Sequence, residues 1–203
     1  MSAPDEALPM TRVRLATPAD GVACATIYAP YVAETAISFE LVPPTADEMA
    51  ARIARVTVHW PWLVVEVDGI VRGYAYATRH RERPAYDWTT ETTVYVDRAF
   101  HGRGLGRTAM RALIAVLRLQ GFHLVVAGIT APNPGSFGLH RALGFGRIGE
   151  FEAIGWKADA WHGVEFWGLE LSPRDPVPDP VTPIGDLVGT PELAAALEGH
   201  GAS

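Results

Sequence analysis

Three features of this sequence carry chemistry. The first is a glycine turn, His101-Gly102-Arg103-Gly104-Leu105-Gly106, between a β-branched run and a helical pattern. Glycines let a backbone bend and approach a phosphate without Cβ clashes. The helix that follows offers free N–H donors at the positive end of its dipole. The second is charge. Arg98, Arg103, Arg107, Arg111, Arg118, Arg141 and Arg147 fall in a window, Arg98 to Gly149, with no Asp or Glu. The chain-average acid content would place about six there. The third is a lone carboxylate, Glu91, in Thr89-Thr90-Glu91-Thr92-Thr93. Strand alternation sets it on the face of Thr93 and Tyr95.

A glycine turn can be no more than a tight turn, so the ligand has to be argued. A Walker A loop needs Gly-Lys followed by Ser or Thr, and the chain has none. A Rossmann site built on Gly104-x-Gly106-x-x-Ala109 would want an acid about 20 residues later. The acid-free window excludes that. An acyl-CoA fits both features: its pyrophosphate suits the turn, and its 3′-phosphate suits the arginines.

Elements must position these groups. Residues 11–16 read as a strand, and Thr17-Pro18 opens a helix. Thr45 and Glu48 form a capping box before Met49, Ile53 and Val56. Residues 62–68 and 70–77 read as a hairpin turned at Asp68-Gly69, and 78–88 as an exposed basic and aromatic loop. Residues 89–96 form a strand. A helix from the glycine turn to Gln120 buries Leu105, Ala109, Ala112, Leu113 and Val116, and Gly121 ends it. A strand at 123–129, a short helix ending near Gly144, and strands near 145–155 and 164–171 complete the series. The expected fold class is α/β (α+β), with a mixed, mostly antiparallel sheet and helices on both faces. After Leu171, six prolines and five acids share 32 residues. This predicts one domain, 1–171, and an acidic, Pro-rich tail, 172–203, irregular apart from a short helix at 191–198.

Composition bounds the function. The chain has 203 residues, 48% hydrophobic and 20% charged, which suits a folded core and not a disordered chain. No run approaches the ~20 apolar residues of a membrane span. The start, MSAPDEALPM, lacks the form of a signal peptide. Cys24 is alone, and the net charge is −6. The expectation is a cytoplasmic protein with no disulfide, no metal site, no nucleic-acid partner and no membrane partner.

The sequence resembles the GNAT acyltransferase superfamily. That family's loop runs Gln or Arg, two residues, Gly, one residue, then Gly or Ala; His101, Gly104 and Gly106 stand at those positions. His101 departs from the pattern, having neither permanent charge nor an amide. A closer resemblance spans about 11–171, to the phosphinothricin and methionine sulfone/sulfoximine N-acetyltransferases. It rests on PWLVVEVDG (61–69), AYDWTTETTVYV (85–96), the glycine turn, LHRALGF (139–145), Trp161-His162, Val164 and Phe166-Trp167.

The resemblance implies a GNAT fold of about seven strands, acetyl-CoA as cosubstrate, an amino-acid-like acceptor and a homodimer. Amides of Arg103, Gly104, Leu105, Gly106 and Arg107 would cradle the pyrophosphate, with Thr108 adding a hydroxyl. Val94, Val96, His101, Asn133 and Ser136 would line the rest of the cofactor's path. Glu91 would be the general base, and His140 would protonate the leaving thiolate. Arg81, Arg83, Tyr86, Tyr95 and Val164 would contact the acceptor, with Phe39 as an aromatic wall. The rivals are a GNAT enzyme for another amine, such as a protein N-terminus or polyamine, and a CoA-binding sensor without turnover. Arg81 and Arg83 disfavour a polycation, and Glu91 with His140 disfavours a sensor.

Overall fold

The computed structural model describes residues 10–174 and 177–198. The chain runs β1 (Thr11–Leu15), α1 (Gly21–Glu34), α2 (Ala46–Val56), β2 (Trp62–Val67), β3 (Ile70–Arg79), β4 (Thr89–Val96), α3 (Leu105–Gln120), β5 (Leu124–Ala131), α4 (Pro134–Ala142), β6 (Gly146–Lys157), β7 (Ala160–Glu170), α5 (Ile184–Leu187) and α6 (Pro191–Glu198). Thr17-Pro18 opens a single 3₁₀ turn, Pro18–Asp20, that leads into α1. The Asp20 carboxylate accepts from Thr17 N at 2.8 Å and pairs with Arg14 at 2.7 Å, which fixes that entry. The expected capping box starts α2: Glu48 N donates to Thr45 Oγ1 at 3.2 Å, and Thr45 N donates to Glu48 Oε2 at 2.7 Å.

The seven strands form one sheet in the order β1-β2-β3-β4-β5-β7-β6. Every described pairing is antiparallel except β4 with β5. That parallel ladder holds only three residue pairs, Thr89–Glu91 against Leu124–Val126. Beyond it β4 and β5 part, while β3 stays paired to β4 through Gly73↔Val96 and β7 to β5 through Ala131↔Gly163. The sheet therefore opens in its middle without coming apart at its flanks.

Alternation assigns the two faces. Leu63, Val65, Ala75, Ala77, Val94 and Val96 lie with α3, in a core completed by Ala109, Met110 and Leu113. Trp62, Val64, Tyr74, Tyr76 and Tyr95 lie with α1 and α2, against Tyr28, Tyr31, Met49 and Ile53. On that second face Trp62 stacks on Tyr76 at 4.1 Å, and Tyr28 meets Tyr95 edge-on at 4.7 Å.

The segment between α1 and α2 is held from the far edge of the sheet. Lys157, at the end of β6, is buried, and its Nζ donates to Val32 O, Ser38 O and Glu40 O at 2.6, 2.7 and 2.8 Å. The Phe39 ring lies on Gly155, where a Cβ would come within 2.3 Å of it.

The segment after Leu171 is docked on the fold. Helix α6 forms where expected, and α5 precedes it. Ile184 and Leu193 are buried against Val116 of α3. Gln120 Nε2 donates to Thr182 O at 2.8 Å and Trp88 Nε1 to Asp179 O at 2.7 Å. The prolines rule out long helices, and the few apolar side chains between them suffice to dock the segment. The parts of the expected tail falling on 175–176 and 199–203 lie outside the described residues. Leu193→Ala should lower the free energy of unfolding by about 2–4 kcal/mol in urea titrations; an unchanged midpoint would mean a segment without a stabilising contact.

Candidate active site

The parting of β4 and β5 creates a cavity of about 900 Å³, within the usual range for small-molecule sites. Its walls are Thr92–Val96 on one side and Ala127–Thr130 on the other, with the glycine turn and the start of α4 across one end. Main-chain polarity inside follows from register. Asp97 N donates to Arg72 O at 2.8 Å, so the odd residues of β4 direct their amides toward β3. Alternation then turns the amides of Val94 and Val96 into the cleft, past the last rung of the β5 ladder.

The glycine turn supplies the next donors. Gly104 sits at φ 81° as the N-cap of α3, and Gly102 has φ 75°, a region that side chains with a Cβ avoid. No side chain caps α3 and its first turn holds no acid. Thr108 N already donates to Gly104 O at 3.0 Å, so the free amides are those just before it. Arg107 stands in that first turn, where a helix dipole disfavours a cation unless an anion arrives.

The arginine window sorts itself by partners. Arg98 pairs with Glu34 at 2.5 Å, and Arg147 with Glu150 and Glu165 at 2.5 and 3.0 Å. Arg141 lies over Trp167. Arg103 and Arg107 remain on the cavity wall, without an acidic partner among the described residues. Arg111 and Arg118 are exposed on α3 and, like Arg141, are not on that wall, so Arg103 and Arg107 are the arginines of the window that face the cavity.

His101 does not reach into the cleft for an anion. Its Nε2 lies 2.6 Å from Tyr31 Oη, whose own hydrogen is donated to Val96 O at 2.6 Å. Nε2 is therefore the protonated nitrogen, giving its hydrogen to Tyr31. The residue without an amide or a fixed charge ties the turn to α1 and to the end of β4.

Beside the turn Asn133 caps α4, accepting from Ser136 N at 3.1 Å. His140, one turn after Ser136, is 3% exposed. Burial lowers its pKa below the ordinary imidazole value, with a hydrogen bond to Ser136 O opposing that shift. Nδ1 is the donor in that bond, at 2.8 Å, so Nε2 of the neutral ring keeps a lone pair. Burial raises the Tyr95 phenol well above its usual pKa, so it stays protonated.

The structure brings Val94, Tyr95, Val96, His101, Arg103, Gly104, Leu105, Gly106, Arg107, Asn133, Ser136 and His140 to this one cavity. Thr108 is not on its wall, and neither are Glu91, Phe39, Arg81, Arg83, Tyr86 or Val164. Glu91 follows Thr93 on the same face of β4, toward the strand's start. Its Oε1 lies 2.7 Å from His80 Nδ1. His80 meets Tyr86 edge-on at 5.7 Å, and the Arg81 guanidinium lies 5.5 Å over the same ring. Arg83 is exposed nearby in sequence. Phe39 and Val164 sit instead by the β6–β7 hairpin, Phe39 6.3 Å from His162 and Val164 opposite Phe151. Sequence reasoning missed Tyr31, Ile37 and His80. Tyr31 lay in a helix read only for its start, and His80 in a loop read for its arginines and aromatic residues.

The acetyltransferase (GNAT) family model matches residues 31–145, the stretch that carries the parted strands and the glycine turn. The chain belongs to the GNAT family. A phosphinothricin N-acetyltransferase of Streptomyces viridochromogenes is 41% identical over 86% of this chain and 95% of that relative. An L-methionine sulfoximine/L-methionine sulfone acetyltransferase of Salmonella typhimurium is 36% identical over 78% and 94%. Among solved structures, a GNAT superfamily phosphinothricin acetyltransferase from Sinorhizobium meliloti, in complex with acetyl-CoA, superposes with TM-score 0.79. It is 32% identical, covering 86% of this chain and 96% of that one. The GNAT assignment accounts for the cleft as a cofactor slot, and the residues present fit acetyl-CoA: unpaired strand amides for an extended arm, and a capless helix start for a pyrophosphate. Among the described residues no group of three potential metal ligands occurs.

Gly104→Val should weaken CoA binding at least about tenfold in calorimetry, because a β-branched residue is strained at that φ. Unchanged affinity would make the turn a structural bend only.

Proposed function

We propose that the protein is an acetyl-CoA-dependent N-acetyltransferase that acetylates the amino group of a small amino-acid analogue, of the phosphinothricin or methionine sulfone/sulfoximine type. The observation that carries the reading is that the cofactor cleft of this GNAT chain ends beside a β4 carboxylate, Glu91, flanked by a loop bearing Arg81 and Arg83. Relatives at 36–41% identity carry such names, and neighbouring structures hold acetyl-CoA.

An amine attacks only with its lone pair free, and an α-amino group has a pKa near ~8. Glu91 takes the ammonium proton, directly or through water. The nitrogen then bonds to the thioester carbon, whose oxygen gains the electron pair; the Val96 N–H, directed into the cleft, holds that oxyanion. Collapse breaks the C–S bond. His140 is an unsuitable primary acid, since burial keeps it neutral and its Nδ1–H is committed to Ser136. Its Nε2 lone pair instead relays the second amine proton to the departing sulfur. The Arg81 and Arg83 guanidinium groups read the acceptor's carboxylate and its second oxygen group, with Tyr86 and Tyr95 beside them. Phe39 and Val164 close the site from the hairpin side.

Residues 1–171 make up the catalytic unit in this reading, and the described residues 177–198 brace α3. A cytoplasmic setting accords with the one cysteine being free and buried, its thiol pushed up to about 12 by burial. No helix among the described residues is long and apolar enough to cross a membrane. Edge strand β6 and its partner expose Ile148, Phe151, Ile154, Trp156 and Trp161, an apolar row of the kind that marks an interface. A second copy of the chain is its proposed occupant. Sedimentation at micromolar concentration should give a two-chain mass, reduced to one chain by Phe151→Lys with Trp156→Lys. A single-chain mass for the unaltered protein would contradict this.

Thiol release from acetyl-CoA with methionine sulfone or phosphinothricin tests the activity, and a sensor would bind CoA and release none. Glu91→Ala should lower kcat by about 10²–10⁴-fold, and an unchanged rate would remove Glu91 as base. Arg81→Ala with Arg83→Ala should raise KM for the acceptor and leave that for acetyl-CoA; the reverse pattern would refute the assignment.

A further inference from the structure

The loop between β3 and β4 carries a histidine for which the mechanism above has no use. His80 follows the last residue of β3, and its side chain is 17% exposed. Its Nδ1 lies 2.7 Å from Oε1 of Glu91, within the range of a charge-assisted hydrogen bond. The contact is not a chance meeting of two long surface chains. Thr78 is the register partner of Glu91, so His80 lies two residues beyond the directly opposed position and leans back across the ladder. The ring is held on its other side by Tyr86, edge-on at 5.7 Å. Tyr86 is in turn covered by the Arg81 guanidinium.

A carboxylate oxygen can only accept here, so Nδ1–H donates and His80 Nε2 is left free for solvent. Oε2 of Glu91 has no protein donor among the described residues. The bond therefore removes the symmetry of the carboxylate. One oxygen is committed to the imidazole and the other is free to meet an amine. A glutamate side chain has three rotatable bonds, and this one is 41% exposed. Without a tether it would sample rotamers that point away from the acceptor. A general base acts only from within hydrogen-bond reach of its proton, and small displacements are costly in rate.

We propose that His80 is a positioning residue for Glu91: its Nδ1–H pins Oε1, so that Oε2 is the atom presented to the acceptor's amino group. The inference rests on the reading of Glu91 as the base. It makes Arg81, Tyr86, His80 and Glu91 one assembly, in which the residues that read the acceptor also brace the histidine that aims the base.

The test is steady-state kinetics with acetyl-CoA and methionine sulfone for the unaltered protein, His80→Phe, His80→Asn, Glu91→Gln and the His80→Phe/Glu91→Gln pair. Phenylalanine keeps a ring against Tyr86 and removes the donor. Asparagine keeps a donor close to the position of Nδ1 and loses the ring. His80→Phe should lower kcat about tenfold, with KM for acetyl-CoA within about twofold of the unaltered value. His80→Asn should recover most of that loss, and the losses of His80→Phe and Glu91→Gln should not add, because both act through one oxygen. A full kcat for His80→Phe beside a slow Glu91→Gln would overturn the proposal and leave the base assignment standing. His80→Asn as slow as His80→Phe would show that the ring matters and the donor does not, which also overturns it. Fully additive losses would place His80 in some other role. A fast Glu91→Gln would overturn the base reading itself, and this inference with it.

Discussion

The structure turns on a hydrogen-bond ladder that stops. β4 and β5 pair for three residues and then separate, although unpaired strand amides inside a protein are costly. The separation persists because each strand is fully engaged on its outer side, β4 by seven register pairs with β3 and β5 by eight with β7. Neither can swing across to close the gap. What remains is a slot lined with unused main-chain groups, the kind of surface an extended, amide-bearing arm can complete as a temporary strand.

The slot joins two faces of different character. On the α3 face the donors are main-chain amides and two arginines, suited to phosphate. On the α1–α2 face lie aromatic rings and, on β4, the Glu91 carboxylate, suited to an amine. Tyr31 bridges them: it belongs to α1, packs on Tyr95 at 5.0 Å, and bonds both Val96 O and His101. Lys157 does comparable work at a distance. Its ammonium gathers three carbonyls around the α1–α2 segment, so the edge hairpin, rather than α1 or α2 alone, holds Phe39 in place.

Much of this was legible in the sequence. The element order, the capping box at Thr45, the Asp68-Gly69 hairpin and the helix after the glycine turn follow local rules, and local rules are what a sequence displays. The glycine turn and the placement of Glu91 with Thr93 and Tyr95 were readable for the same reason. The roles of individual side chains were harder. Seven arginines look like one field in sequence, but acids distant along the chain, Glu34 and Glu165, engage Arg98 and Arg147. His140 looks like a proton donor until burial and the Ser136 carbonyl fix its tautomer. His80 was invisible because its partner is eleven residues away across a turn. The docked tail was missed because prolines report what a backbone cannot do and say nothing of where Ile184 and Leu193 will pack.

The central claim is that CoA lies along the parted strands with its pyrophosphate on the glycine turn. Backbone amide shifts in an NMR titration with CoA test it most directly. The account predicts perturbations concentrated at Val94, Val96, Arg103, Gly104, Leu105, Gly106 and Arg107, with Val71 and the outer strand β1 unmoved. Saturable shifts clustered elsewhere, or none at these amides, would contradict it.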